Sequence, residues 1–174
     1  ARINMGDALR YAGEFEQAIG EYSRVLIAEP LEQMALYGRA ECYRELDRLA
    51  EAEAGYRTIL KQDQNYDLAW VGLGEVYERD DRFEDAIRFY SNAIEITPNY
   101  LWAIYRRGFS RSMLNQDEES IKDFDKVLEL NPNHLNARLF RANAYRDLKE
   151  FKPALADYEA ALKLDDKYTF IYLG

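Results

Sequence analysis

Between Asp67 and Tyr100 the apolar residues fall into two stripes. Trp70, Leu73, Val76 and Tyr77 recur at steps of three and four and so share one face of a helix. Residues 79–82 are polar and interrupt the stripe. Phe83, Ala86, Ile87, Tyr90, Ala93 and Ile94 then build a second helical face. Pro98 stops that helix, because proline cannot continue a helix interior. The segment reads as helix, turn, helix.

The same unit recurs on both sides. Laid out at a period of about 34 residues, the chain gives rows at 1–32, 33–66, 67–100, 101–134 and 135–168, the first lacking its two opening positions. Residues 169–174 are expected to start a further helix. Position 3 is Ala1, Ala35, Ala69, Ala103 and Ala137. Position 8 is Gly6, Ala40, Gly74, Gly108 and Ala142, small residues where two helices of one hairpin approach closely. Position 20 is Ala18, Ala52, Ala86, Ser120 and Ala154, the matching small site on the second helix. Position 24 carries rings, Tyr22, Tyr56, Tyr90, Phe124 and Tyr158, expected to fill the space between neighbouring units. Position 32 is Pro30, Gln64, Pro98, Pro132 and Asp166. The turn column is Gly13, Asp47, Asp81, Asn115 and Lys149; the first four are favoured turn residues and Lys149 is the exception.

The pattern Trp70-x-x-Leu73-Gly74-x-x-Tyr77, followed by Ala86, Tyr90, Ala93 and Pro98, resembles the tetratricopeptide repeat. Five rows in register extend the resemblance over nearly the whole chain. It implies an all-α fold, a right-handed superhelical solenoid of antiparallel helix pairs. In that family the first helix of each pair lines a concave groove and the second lies on the convex side. One array over residues 1–174 is expected, each unit packing on its neighbours instead of around one central core. Arg2, Ile3 and Asn4 already belong to a first helix, and Phe170, Ile171, Tyr172 and Leu173 form an apolar stub. The expectation is a piece of a longer array, or an end that packs on another copy.

Composition narrows the partners. Apolar residues at 48% suffice for burial, while a formal net charge of −9 disfavours general nucleic-acid or anionic-lipid binding. No apolar run reaches the roughly 18 residues that a membrane-spanning helix needs, and no signal peptide is visible; a cytoplasmic location is the expectation on that ground alone. Cys42 is the single cysteine, which excludes an intramolecular disulfide and a cysteine metal framework. It reads as a small buried residue.

Enzyme chemistry finds no support. His134, the single histidine, stands beside Pro132 and reads as a solvated turn residue. Walker, dinucleotide, nucleophile-elbow and zinc-protease motifs do not occur. The acidic group Asp117, Glu118, Glu119, Asp123 and Asp125 lacks the glycine and spacing of a calcium loop. It reads as a solvated helix face with a favourably charged N-terminus. No catalytic residue, metal or cofactor is assigned.

The resemblance carries binding positions instead. In the family, positions 2, 5, 9, 12 and 13 of the first helices tend to face the groove; the groove candidates here are Tyr37, Glu41, Val71, Glu75, Glu78, Trp102, Tyr105 and Phe109, together with Arg106. Trp102, Tyr105 and Phe109 align on one helix face; they are either binding surface or packing against Tyr66, Tyr100 or the next repeat. Glu41, Glu75 and Glu78 beside them would prefer a partner with basic as well as apolar residues. The fourth row also departs most from the pattern, with Arg111 in a tyrosine column and Asp117 in a Phe/Leu column. The carboxylate clamp that holds chaperone tails is absent, since position 5 is Ile3, Tyr37, Val71, Tyr105 and Leu139, with no lysine. Arg39, Arg107 and Arg141 recur at position 7 and are expected to pack adjacent helices together. The reading is a non-catalytic protein–protein interaction scaffold that holds a peptide segment or helix in its groove. The alternatives are homo-oligomer formation through the open ends, or the regulatory part of a larger enzyme.

Overall fold

The computed structural model describes residues 1–172, with side chains through Leu164. Among the described residues there are ten α-helices and no strand. They are α1 (Arg2–Tyr11), α2 (Phe15–Ala28), α3 (Gln33–Glu45), α4 (Leu49–Gln62), α5 (Asp67–Arg79), α6 (Phe83–Ile96), α7 (Leu101–Met113), α8 (Asp117–Leu130), α9 (Leu135–Asp147) and α10 (Phe151–Tyr172). They form two compact units, one holding α1–α5 through Arg82 and one holding α6–α10 from Phe83. Odd-numbered helices are the first of each row and even-numbered ones the second.

The five odd helices end in the same way. Gly13, Asp47, Asp81, Asn115 and Lys149 have φ of +79°, +59°, +55°, +55° and +64°. The next residue donates its N–H back five positions, as Glu14 does to Leu9 O at 2.9 Å, Arg48 to Tyr43 O at 2.8 Å and Glu150 to Tyr145 O at 2.8 Å. This left-handed residue with its long return bond satisfies carbonyls that the helix end leaves open. The turn column is therefore a backbone requirement, and Lys149 meets it with a side chain in place.

In each unit the rings of position 24 are the packing centres. Tyr22 and Tyr56 in the first unit, and Tyr90 and Phe124 in the second, expose no surface. Tyr22 lies between two glycines: a Cβ on Gly6 would stand 2.6 Å from the ring, and one on Gly38 2.4 Å. Gly72 over Tyr56 is equally tight at 2.4 Å. Position 8 thus stays small at Gly6 to admit its own unit's ring, a reason beyond close helix approach. In α9 the counterpart of Gly38 is Phe140, which stacks on Phe124 with centroids 5.9 Å apart and planes at 16°.

The arginines of position 7 link neighbouring second helices through a constant offset. Arg107 pairs with Asp123, sixteen residues ahead, at 2.7 and 3.0 Å, and donates to Ser91 Oγ, sixteen behind, at 3.2 Å. Arg141 does the same with Asp157 and Asp125 at 2.7 and 2.6 Å. Arg39 reaches Ser23 Oγ at 3.4 Å, and Gly55 stands where a forward acid would be. Asp123 is consequently not part of a solvated acidic face: it is 3% exposed and also takes Arg111 at 2.7 Å. Asp117, Glu118 and Glu119 do occupy the first turn of α8, where the helix dipole favours them.

Two other expectations change. His134 is a cap, not a solvated turn residue: its Nδ1 accepts the Ala137 N–H at 3.2 Å, and its ring lies 4.7 Å from that of Tyr105. The helix expected to begin at 169 does not form separately, since the backbone of α10 runs unbroken to Tyr172 through Asp166, where proline stands in three other rows. The side chains of the predicted stub Phe170, Ile171 and Tyr172, and all of Leu173, lie outside the described residues, as does Gly174.

Candidate functional site

The candidate residues of the first unit sit on α3 and α5, and most of them are engaged within the unit. Tyr37 is half-buried, its ring 6.1 Å from that of Tyr56 and 5.9 Å from that of Tyr66. Val71 is buried. Arg44 joins Glu41 at 3.0 Å to Glu75 at 3.1 Å, the carboxylates keeping 13% and 12% of their side-chain surface. Glu41 also accepts the Tyr56 hydroxyl. Burial works against the Arg44 charge, but Glu41 and Glu75 outweigh it and hold the guanidinium protonated. Glu78 is buried. The cation expected from a partner is thus already supplied to Glu41 and Glu75 by the chain itself. Met34 and Leu68, the position-2 residues of α3 and α5, are the large apolar side chains exposed here.

In the second unit the aromatic ridge of α7 divides by depth. Tyr105 is 7% exposed and belongs to the core with Ile104, Phe124, Val127, Leu128 and Ala137. Phe109 is half-buried, its edge against Phe140 at 5.3 Å. Trp102, one turn before Arg106, stays 42% exposed. Arg106 lies over both rings, 5.3 Å from the Trp102 centroid and 5.5 Å from that of Phe109. A tryptophan face beside a guanidinium on one helix combines two residue types enriched at binding hot spots. Tyr105 is the packing that holds the ridge in place.

Cys42 is fully buried on α3, and burial pushes its thiol up to about 11. At neutral pH it carries almost no thiolate, the form a nucleophile needs. Among the described residues no helix is long and apolar enough to cross a membrane, and no group of three His, Cys, Asp or Glu side chains is placed to hold a metal ion.

Profiles of the tetratricopeptide repeat match residues 3–67 and 115–169, and a second such profile matches 67–100. Curated protein sequences give no match. Among solved structures, MamA superposes with a TM-score of 0.85 at 23% identity over 97% of this chain and 92% of its own. A MamA segment from Desulfovibrio magneticus RS-1 gives 0.88 at 17% identity over 95% and 94%. YrrB, described as a TPR protein with an unusual peptide-binding site, gives 0.81 at 21% identity over 97% and 87%. These likenesses concern the fold. With helix pairs ended by one left-handed column and centred on one column of rings, and with repeat profiles matching most of its length, the chain belongs to the tetratricopeptide repeat family.

Proposed function

We propose that this protein acts by binding and not by catalysis, as a scaffold that holds a peptide segment or helix of a protein partner on its first-helix face. The observation that carries the reading is Trp102. A large ring kept 42% exposed, on a helix whose other aromatics are packed, and overlaid by Arg106, leaves apolar surface open to a partner. An apolar or aromatic side chain of the bound segment stacks on the exposed part of Trp102. Glu41 and Glu75 contribute less than their charge suggests, because Arg44 already neutralises them. That YrrB, alike in fold, is described by a peptide-binding site supports the reading.

A phage-displayed peptide library selected on the wild-type chain tests it. Selected peptides should bind Trp102→Ala more weakly by roughly 2–4 kcal/mol, the range of an aromatic hot spot. A loss below about 0.5 kcal/mol with helicity unchanged would remove Trp102 from the site.

A further inference from the structure

Two columns of the repeat are apolar in every row but one, and the two exceptions line the same cleft. Position 21 is Ile19, Ile87, Ile121 and Leu155, but Glu53 in the second row. Position 14 is Ala12, Leu46, Leu114 and Leu148, but Asp80 in the third. Glu53 belongs to α4 and Asp80 caps the end of α5, so both acids stand where these helices meet, inside the first unit. With Leu49, Ala50, Tyr77 and Arg82 they line a cleft of about 250 Å³. That is smaller than the roughly 300–1,000 Å³ of a small-molecule pocket and suits a single side chain. Departures from a local pattern gather at functional sites, and here two of them converge.

Glu53 is held in place with one oxygen to spare. Its Oε1 accepts the Tyr77 hydroxyl at 2.8 Å and Arg57 Nε at 2.7 Å. Burial raises its pKa, but the Tyr77 and Arg57 contacts outweigh burial and bring it below its ordinary value. The carboxylate is therefore charged at neutral pH. Among the described residues both bonds fall on Oε1, which leaves Oε2 to accept from another donor. Asp80 is exposed. Against these two carboxylates the lining sets one guanidinium, Arg82. It lies over the Tyr77 ring at 4.4 Å, as Arg48 lies over Tyr43 at 4.5 Å one row earlier. That pairing recurs with the repeat; the acids do not. The lining is thus negative, and Leu49, Ala50 and the Tyr77 ring make the rest of it apolar.

We propose that this cleft takes a lysine side chain of a protein partner. The aliphatic stem lies along Leu49, Ala50 and the Tyr77 ring, and the ammonium donates to Glu53 Oε2 and to the Asp80 carboxylate. A compact ammonium on a flexible stem suits two acceptors carried by different helices, whereas a guanidinium would set a second planar cation beside Arg82. The site is separate from Trp102, which belongs to α7 in the other unit.

Amide NMR of the 174-residue chain, titrated with lysine blocked as its N-acetyl N-methylamide, tests this. The probe should shift the amides of Ala50, Glu53, Tyr77 and Asp80 saturably within the millimolar range. Blocked norleucine, which has the same stem and no ammonium, should bind more weakly by several-fold. Asp80→Asn should weaken the lysine probe roughly twofold to fivefold, the order of an exposed ion pair. Glu53→Gln combined with Asp80→Asn should remove saturation while helicity stays unchanged. Amides of the cleft that stay unmoved throughout the millimolar range, equal binding of the norleucine probe, or saturation retained in the double variant would each overturn the proposal. So would tighter binding of blocked arginine, which would make this a guanidinium site, or of cadaverine, which would make it a site for a free diamine.

Discussion

The Tyr22 hydroxyl donates to Asp7 Oδ1 at 2.7 Å, tying the second helix of a pair back to the first across fifteen residues. Tyr56 makes the same bond to Glu41, and Tyr158 to Asn143 at 2.6 Å. Burial together with the Asp7 contact raises the Tyr22 pKa well above its ordinary value, so the hydroxyl remains a donor. Where the ring is Phe124, position 9 is Phe109, and the pair needs no polar partner. Phe124→Tyr should therefore strand a hydroxyl among Phe109 and Phe140 and cost about 1–3 kcal/mol. Adding Phe109→Asn, which copies the Tyr158–Asn143 pair, should recover part of the loss. Chemical denaturation of the single and double variants checks the coupling, and purely additive effects would contradict it.

Asp123 holds two guanidiniums, Arg107 and Arg111, with 4% of its side chain exposed against 19% for each arginine. Its removal leaves two partly buried cations facing one another. Asp123→Ala should cost about 3 kcal/mol, the order expected for breaking a buried pair. Asp123→Asn, which keeps the shape and an acceptor, should cost less. Urea unfolding midpoints of the two variants decide, and equal losses would mean that the charge is irrelevant.

Lys149 stands at φ +64°, in a column otherwise filled by Gly, Asp and Asn. A left-handed residue with a Cβ costs roughly 1–2 kcal/mol, and glycine gives back roughly 0.5–1 kcal/mol of that in unfolded-chain freedom. Lys149→Gly should stabilise the protein by about 0.5–1 kcal/mol. A thermal midpoint unchanged or lowered by the substitution would count against strain at this turn.

Burial lowers the His134 pKa from its ordinary 6.5, only partly offset by a backbone hydrogen bond. The neutral ring is the one that fits, since Nδ1 must accept the Ala137 N–H. Between the folded pKa and 6.5 the unfolded chain binds more protons. Stability should therefore fall as pH drops through that window and level off below the folded pKa. His134→Asn preserves a capping side chain without titrating. The difference in unfolding free energy between wild type and variant, followed from neutral to mildly acid pH, should shrink or reverse in the direction of the variant. A difference independent of pH would show that His134 does not titrate with folding.

The helix pairs were legible because every column is enforced locally. A ring at position 24 goes with a small residue at position 8 in every row, and the left-handed turn favours Gly, Asn or Asp, which fill it in every row but that of Lys149. The fate of position 9 was not legible. Whether Glu41 faces a partner or Tyr56 and Arg44 depends on how close two helices pass, which spacing along one helix does not report. Tyr105 and Trp102 likewise share a face, and only depth separates the packed ring from the exposed one. The sixteen-residue reach of Arg107 and Arg141 is visible in sequence only after the offset is known, as an acid at +16 and a polar residue at −16.

That offset bears on how the chain folds and evolves. The ties described here run between adjacent helices, and even the long one from Arg79 to the Arg44 carbonyl spans 35 residues, about one repeat. Closing such short loops carries little entropic cost, so the chain belongs to the class of low contact order and rapid folding. A duplication or deletion of one 34-residue unit would leave the ties inside the remaining units intact, which makes the number of units a freely varied quantity while the spacing within each is held.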